Sequence, residues 1–181
     1  MDKRKIANQK VKDNLLAALI ELAKNENWSN ITVTALIEKA HVARSSYYRN
    51  FSSIEDIVDY GIMQMHKKYQ HERPTPYENF HDKNLMHFKF EFYKKHADLL
   101  LTFHHTQTSQ SLLSVINDFV IDACGDMPYS SISKYELYYY SGAFYNMVIC
   151  WLEDGAKESP EDMAEEFLRI VNTGVSKNFK K

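Results

Sequence analysis

Residues 31–58 read ITVTALIEKAHVARSSYYRNFSSIEDIV, and they constrain the fold more than any other stretch. Thr32 can cap a helix whose apolar residues recur at spacings of three and four. His41 and Val42 interrupt that pattern, and a second short helix then runs to about Asn50. Two short amphipathic helices with a tight break between them form a helix-turn-helix, whose second helix enters the major groove of DNA.

The second helix is predicted to turn Tyr48 and Phe51 inward, because a spacing of three puts them on one face. The remaining polar side chains are then left to solvent or to a ligand: Arg44, Ser45, Ser46, Tyr47, Arg49 and Asn50. Ser52 and Glu55 have the spacing of a capping box, which predicts that the next helix begins there.

Helical spacing recurs along most of the 181 residues, Gly and Pro are few, and strand-like alternation is scarce. We therefore predict an all-α protein with an N-terminal three-helix domain over residues 1–52 and a C-terminal helical regulatory and dimerisation domain over residues 53–181. No stretch is apolar enough to span a membrane, and the N-terminus has no apolar segment typical of a signal peptide. Cys124 and Cys150 lie in apolar helical patterns, which favours reduced, buried thiols in a cytoplasmic protein.

Charge is unevenly spread along the chain. Residues 1–50 hold nine Lys and Arg against five Asp and Glu, whereas the whole chain has a net charge of −2. A basic N-terminal module fits a polyanionic partner at one end of the molecule. Residues 3–12 are predicted to form a loose basic arm, and its Lys3, Arg4 and Lys5 fit either a DNA contact or a solvated tail.

Helical patterns cover the rest of the chain. A long helix is predicted over residues 53–71, a further helix around Leu85, and short helices over residues 96–103 and 109–124. Ser133 and Glu136 form a second capping box, and the helix that follows stops before Gly155, a residue suited to a helix C-terminus. Ser159 followed by Pro160 predicts the start of the last helix.

The helix over residues 137–152 is apolar on nearly all sides, so it must be buried all round. One face can pack on the chain's own core, and the other fits a second copy of the chain in a four-helix interface. The residues predicted to form this dimer interface are Tyr138, Ser141, Gly142, Tyr145, Ile149, Leu152, Phe167, Ile170 and Val171.

These residues together resemble the tetracycline-repressor (TetR, AcrR-type) family of bacterial transcriptional regulators. The resemblance is strongest over residues 11–58, above all in the run Val42-Ala43-Arg44-Ser45-Ser46-Tyr47-Tyr48-Arg49-Asn50-Phe51. The segment from Trp151 to Ala164 is similar to the C-terminal domain of one subgroup, and the resemblance is weak over residues 72–132. Members often have Gly at the position of His41, Ser or Thr at that of Ala43, and Lys at that of Ile54, so these three positions depart from the family pattern.

For DNA, the candidate contacts are the polar residues of the helix-turn-helix and the basic arm. Arg44 and Ser46 are candidates for contacts with base edges, since Arg can donate two hydrogen bonds to guanine. Thr34 and Tyr47 are candidates for contacts with phosphates. Tyr48 fits a core position as well as a phosphate contact. The full set is Lys3, Arg4, Lys5, Thr32, Thr34, Arg44, Ser45, Ser46, Tyr47, Tyr48, Arg49 and Asn50.

No motif of a catalytic, phosphate-binding or metal-binding site occurs, so we expect no enzyme, no cofactor and no metal. Aromatic residues between 80 and 151 suit either a core or a ligand pocket, and the pocket candidates are Phe88, Phe92, Phe103, His104, Tyr139, Tyr145 and Trp151. A helical ligand- or protein-binding module that has lost DNA binding remains an alternative function, as does an enzyme that uses the aromatic cavity.

The family resemblance implies a homodimeric cytoplasmic regulator, most simply a repressor, that binds a palindromic double-stranded DNA operator. It also implies that a small-molecule effector in the C-terminal domain releases the protein from DNA by moving the helix that starts near Ser53.

Overall fold

The structure, a computed structural model, describes residues 3–75, 81–105, 113–114, 116–117 and 134–174. Its regular elements are α1 (Lys3–Asn25), α2 (Val33–Lys39), α3 (Arg44–Asn50), α4 (Glu55–Glu72), α5 (Lys83–Lys95), α6 (Ala97–His105), α7 (Lys134–Glu153) and α8 (Pro160–Thr173), with a 3-10 turn at Trp28–Asn30. Across these described ranges there is no β-strand, so the predicted all-α class is confirmed. Most of the helix predicted over 109–124 lies outside the described residues. Ser133 of the predicted capping box also lies outside them.

Residues 3–12 form the first turns of α1, so the prediction of a loose arm is wrong. The segment contains no Gly or Pro, and its polar side chains make bonds that hold the helix in place. Asn8 bonds to Asn50, and Gln9 donates to Asp13 (2.9 Å) and to the Tyr60 hydroxyl.

The helix boundaries follow from their capping groups. The Thr32 hydroxyl accepts a hydrogen bond from the Ala35 amide at 3.2 Å, as predicted. The cap of α4 lies one residue later than predicted, since Ser53 Oγ accepts from the Asp56 amide and Asp56 Oδ2 accepts from the Ser53 amide, both at 3.2 Å. Asp56 Oδ2 also accepts from the Ser52 amide at 2.7 Å. That bond is the main reason that the pKa of Asp56 is lowered.

The described residues fall into two compact units, one drawn from residues 1–68 and 98–108 and the other from residues 69–97 and 109–181. The first unit therefore extends beyond residue 52 and includes most of α4 and most of α6. The functional boundary at residue 52 stays a prediction.

In the first unit, α1, α2, α3 and the start of α4 close a small core. Its members are Leu15, Leu19, Ile31, Leu36, Tyr47, Phe51, Ile57 and Val58. Gly61 marks a close approach between helices, because a Cβ there would lie 2.5 Å from Phe103 Cζ of α6 and 2.8 Å from Leu16 Cδ1 of α1.

In the second unit, α5, α7 and α8 pack through aromatic side chains. The ring of Phe90 lies 5.3 Å from that of Phe144 and 5.6 Å from that of Trp151, and Phe144 meets Phe167 edge-on at 5.3 Å. Lys89 is buried among them, and its ammonium lies 3.4 Å from the Tyr140 hydroxyl.

The ends of α7 and α8 agree with the sequence pattern. Gly155 follows α7 with φ +87°, the left-handed conformation expected after a helix. Ser159 caps α8 and forms a capping box with Asp162, and Pro160 occupies the first turn, as predicted. No helix in the described ranges is long and apolar enough to cross a membrane.

Candidate nucleic-acid interface

The turn between α2 and α3 is built from His41, Val42 and Ala43. His41 has φ +52°, a left-handed conformation in which Gly is strain-free and which His tolerates better than most residues. Ala43 precedes α3 and provides no side-chain cap bond, whereas the Ser or Thr common at this position in the family could provide one. Even so, α3 runs the full seven residues from Arg44 to Asn50.

Tyr47 and Tyr48 of α3 are reversed relative to the prediction, which placed Tyr48 inward and Tyr47 outward. Tyr47 is fully buried, whereas Tyr48 is 55% exposed. Tyr47 packs between Tyr48, whose ring meets it edge-on at 5.0 Å, and Phe51 at 6.4 Å. Burial raises the pKa of Tyr47, and its hydroxyl has no hydrogen-bond partner among the described residues. The prediction that Tyr47 points to solvent is therefore wrong, and we do not carry it forward as a DNA contact.

The outward face of α3 carries Arg44, Ser45, Tyr48 and Arg49, all exposed, with Ser46 half-buried beside them. The guanidinium carbon of Arg44 lies 5.8 Å from the centre of the Tyr48 ring. A planar donor fork and a serine hydroxyl pair on one exposed face have the chemistry that reads base edges in a major groove.

A basic groove of about 630 Å³ lies between the first turns of α1 and α3. Arg4 and Lys5 line one side and Ser46 and Arg49 the other. Three cationic side chains around one groove attract a polyanion and can contact phosphate oxygens. Sequence reasoning therefore named the cations of this groove. It missed Ala7, Asn8 and Val11, which complete the lining.

A helical α1 explains these missed residues. Arg4, Asn8 and Val11 are spaced by four and three, so they share one face of a helix that begins at Lys3. That spacing is visible in the sequence. The spacing indicates a shared helix face only if α1 is predicted to begin at the basic residues instead of after them.

The side-chain amide of Asn50 makes its hydrogen bonds within the protein. Its amide nitrogen donates to Asn8 Oδ1 at 3.0 Å and to the Ser46 carbonyl at 2.9 Å, and its oxygen accepts from Asn8 Nδ2 at 2.8 Å. Both amide hydrogens are thereby used. Asn50 fixes α1 to the end of α3, and we no longer count it among the proposed DNA contacts.

The remaining predicted contacts are placed at the edge of this surface. Thr32 and Thr34 are exposed at the first turn of α2, with the Thr32 hydroxyl occupied as a cap. Lys3 is exposed at the first residue of α1.

A second link fixes α1, in this case to α4. The Tyr60 hydroxyl donates to Asp13 Oδ1 at 2.6 Å, and Lys12 Nζ lies 5.6 Å from the centre of the Tyr60 ring. Burial, followed by the hydrogen bond to Asp13, raises the pKa of Tyr60 to about 12. The basic turns of α1 are thus held by α3 on one side and by α4 on the other.

The predicted ligand-pocket residues are divided between the two units. Phe103 and His104 belong to the first unit, and the other five belong to the second. Phe88 and Phe92 line a groove of about 460 Å³ together with Glu72, Glu91, Lys94, Lys95 and Pro160. Tyr139 is 63% exposed and Trp151 packs on Phe90, so these two belong to the surface and to the core respectively.

The predicted dimer residues also divide by burial. Ser141, Ile149, Leu152 and Phe167 are buried within the chain, so their assignment to an exposed face is wrong. Tyr138 is 46% exposed, and Gly142, Tyr145, Ile170 and Val171 are half-exposed. The exposed face of α7 instead centres on Tyr135, Tyr138, Tyr139 and Gly142, which we call the tyrosine face. Cys150 is also exposed on α7, contrary to the prediction of a buried thiol.

Solved structures share this fold. A TetR transcriptional regulator from Streptococcus agalactiae 2603V aligns with a TM-score of 0.67 and 20% identity, over 93% of this chain and 97% of that one. The fatty acid degradation regulator FadR from Bacillus halodurans aligns with a TM-score of 0.65 and 14% identity, over 91% and 96%. No curated protein sequence matches the chain.

A family model gives the assignment. The model TetR_C_8, described as a transcriptional regulator C-terminal region, matches residues 83–173, which is half of the chain. This match, together with the shared fold, confirms the predicted family. The chain belongs to the TetR family of transcriptional regulators.

Proposed function

We propose that this chain is a homodimeric, cytoplasmic repressor that binds a near-palindromic operator through α3 and leaves it when a small-molecule effector binds the C-terminal part of the chain. The observation that carries the proposal is the exposed face of α3 with the basic groove beside it, lined by Arg4, Lys5 and Arg49. A major-groove helix flanked by phosphate-binding cations is the usual arrangement of a helix-turn-helix protein on DNA.

Within this proposal the exposed residues have different roles. Arg44, Ser45 and Ser46 meet base edges, while Arg49, Arg4, Lys5 and the α2 residues Thr32 and Thr34 meet the phosphate backbone, with Lys3 beside them. Phosphate contacts set affinity and register, and base contacts set specificity.

A second copy of the chain supplies the second recognition helix. The tyrosine face exposes three aromatic side chains on one helix, and such a patch marks an interaction surface. Gly142 lies among them, and no described atom lies within 4 Å of a Cβ built there, which would let a partner helix approach closely. On a palindromic operator the two α3 helices of the dimer would lie about 34–36 Å apart, one turn of DNA.

The proposal is tested by selecting bound sequences from a random duplex pool with the full chain. We expect an inverted repeat whose half-sites are about 10 base pairs apart centre to centre. Binding should weaken steeply with salt, because several phosphates are neutralised. DNA binding would be contradicted if the pool yields no enriched sequence and any residual affinity for duplex DNA does not depend on salt. A reporter gene placed behind the selected site then decides between repression and activation.

A further inference from the structure

Arg44 and Tyr48 lie one turn apart on the exposed face of α3. The Arg44 guanidinium carbon is 5.8 Å from the centre of the Tyr48 ring, within the range of a cation–π contact. Both side chains are exposed, so the contact forms at the surface that would meet DNA.

The Tyr48 ring is itself held in place. It meets the fully buried Tyr47 ring edge-on, with centres 5.0 Å apart and planes at 85°. Tyr47 in turn packs against Phe51 in the core. A continuous series of rings therefore connects the core of the first unit to the Arg44 guanidinium.

We propose that Tyr48 is a positioning residue that orients the Arg44 guanidinium for reading a guanine. This inference rests on the proposed function. Arginine recognises guanine by donating two parallel hydrogen bonds to O6 and N7, and this geometry requires the plane of the guanidinium to be set. An arginine already stacked on a fixed ring loses less freedom when it makes those bonds.

A direct phosphate contact by the Tyr48 hydroxyl is the competing role. The two roles use different atoms, because stacking needs the ring and a phosphate contact needs the hydroxyl. Tyr48→Phe keeps the ring and removes the hydroxyl. Tyr48→Leu removes both and retains a good helix-forming residue.

The experiment measures the affinity of the full-length protein for its selected operator and for operators changed at one base pair in each half-site. Wild type is compared with Arg44→Ala, Tyr48→Phe, Tyr48→Leu and the double variant Arg44→Ala/Tyr48→Leu. We expect Arg44→Ala to abolish discrimination at one G·C pair and Tyr48→Phe to preserve it. Tyr48→Leu should weaken binding by about two- to fivefold for each half-site, the usual strength of an exposed cation–π contact. In the Arg44→Ala background, Tyr48→Leu should have no further effect.

Arg49→Ala is the matched control on the same helix. As a phosphate contact it should weaken binding to all sequences alike, without changing base preference. Thermal melting by circular dichroism checks that each variant is folded, and Tyr48→Gln repeats the test if Tyr48→Leu is not.

Two outcomes would overturn the positioning role while leaving DNA binding intact. One is that Tyr48→Phe is as damaging as Tyr48→Leu. The other is that Tyr48→Leu costs the same affinity with and without Arg44. If wild type selects no sequence at all, the proposed function fails and this inference fails with it.

Discussion

Asn8 in α1 and Asn50 in α3 exchange two hydrogen bonds through their side-chain amides, at 2.8 and 3.0 Å, across 42 residues of sequence. These bonds join the start of α1 to the end of α3. The basic groove lies directly beside them, since Asn8 and Ser46 both line it. The position of Arg4 and Lys5 relative to α3 therefore depends on this amide pair.

Asn50→Ala should lower the free energy of unfolding by roughly 1–2 kcal/mol, because it removes the amide pair and leaves Asn8 and the Ser46 carbonyl without that partner. A urea titration measures the change. In a double-mutant cycle with Asn8→Ala the coupling should be about 1 kcal/mol. Asn25→Ala, which removes an exposed bond to Glu21, serves as the control and should change stability little. Additive single variants would contradict the coupling.

Tyr47→Phe should stabilise the protein by about 1 kcal/mol, because a buried hydroxyl without a hydrogen-bond partner costs free energy that the phenyl ring does not. The ring contacts with Tyr48 and Phe51 are retained. Chemical denaturation measures the gain. A loss of stability would mean that the hydroxyl has a partner that the described residues do not include.

The caps of α2 and α8 were predictable because each depends on residues within four positions of one another. Thr32 and Ser159 are such local signals. The orientation of α3 was not predictable from its seven residues. Tyr47 and Tyr48 lie four and three positions before Phe51, so either can share its face, and the choice between them rotates the helix by about 100°.

The helical start of α1 was missed for a different reason. Its first ten residues have no apolar periodicity, so the amphipathic signal that marks the rest of the helix is absent. The bonds that support it come from Asn50 and Tyr60, which are distant in sequence. In α7 the difficulty is reversed, since a helix apolar on all sides does not reveal which face stays exposed. The sequence thus named the cations and serines of the candidate DNA surface, whereas Tyr47 and Asn50 were assigned to it wrongly and the exposed face of α7 was predicted only in part.

Tyr60 should make the protein less stable at alkaline pH. Its pKa in the folded state is about 12, above the ordinary value of 10.0, so the unfolded chain loses this proton first. Its contribution to stability is complete below pH 10 and falls as the pH rises towards about 12. Urea midpoints measured across this range should fall more steeply for wild type than for Tyr60→Phe. Parallel slopes for the two proteins would contradict the assignment.

Gly61 and Gly142 should respond in opposite ways to alanine. Gly61→Ala should destabilise the protein by about 1–3 kcal/mol, because its Cβ would lie 2.5 Å from Phe103 Cζ and 2.8 Å from Leu16 Cδ1. Within a single subunit no described atom lies within 4 Å of a Cβ built at Gly142. Gly142→Ala should therefore stabilise the subunit by up to about 1 kcal/mol through helix propensity, measured with Tyr135→Glu and Tyr139→Glu added so that the proposed dimer contact does not contribute. Thermal and urea unfolding of both variants measure this difference. Adding Phe103→Leu to Gly61→Ala should restore part of the loss, and a harmless Gly61→Ala would contradict the close approach.

Tyr135→Glu combined with Tyr139→Glu should convert the proposed dimer to single subunits. These side chains are 73% and 63% exposed, so the change should not disturb the core, while two added negative charges on each copy would repel across a twofold interface. Sedimentation equilibrium measures the mass, and operator affinity should fall with it because both half-sites are then no longer bound together. Met63→Glu, at an apolar residue of α4 that is 55% exposed, is the control and should stay dimeric. A double variant that keeps the mass of a dimer would place the interface somewhere other than the tyrosine face.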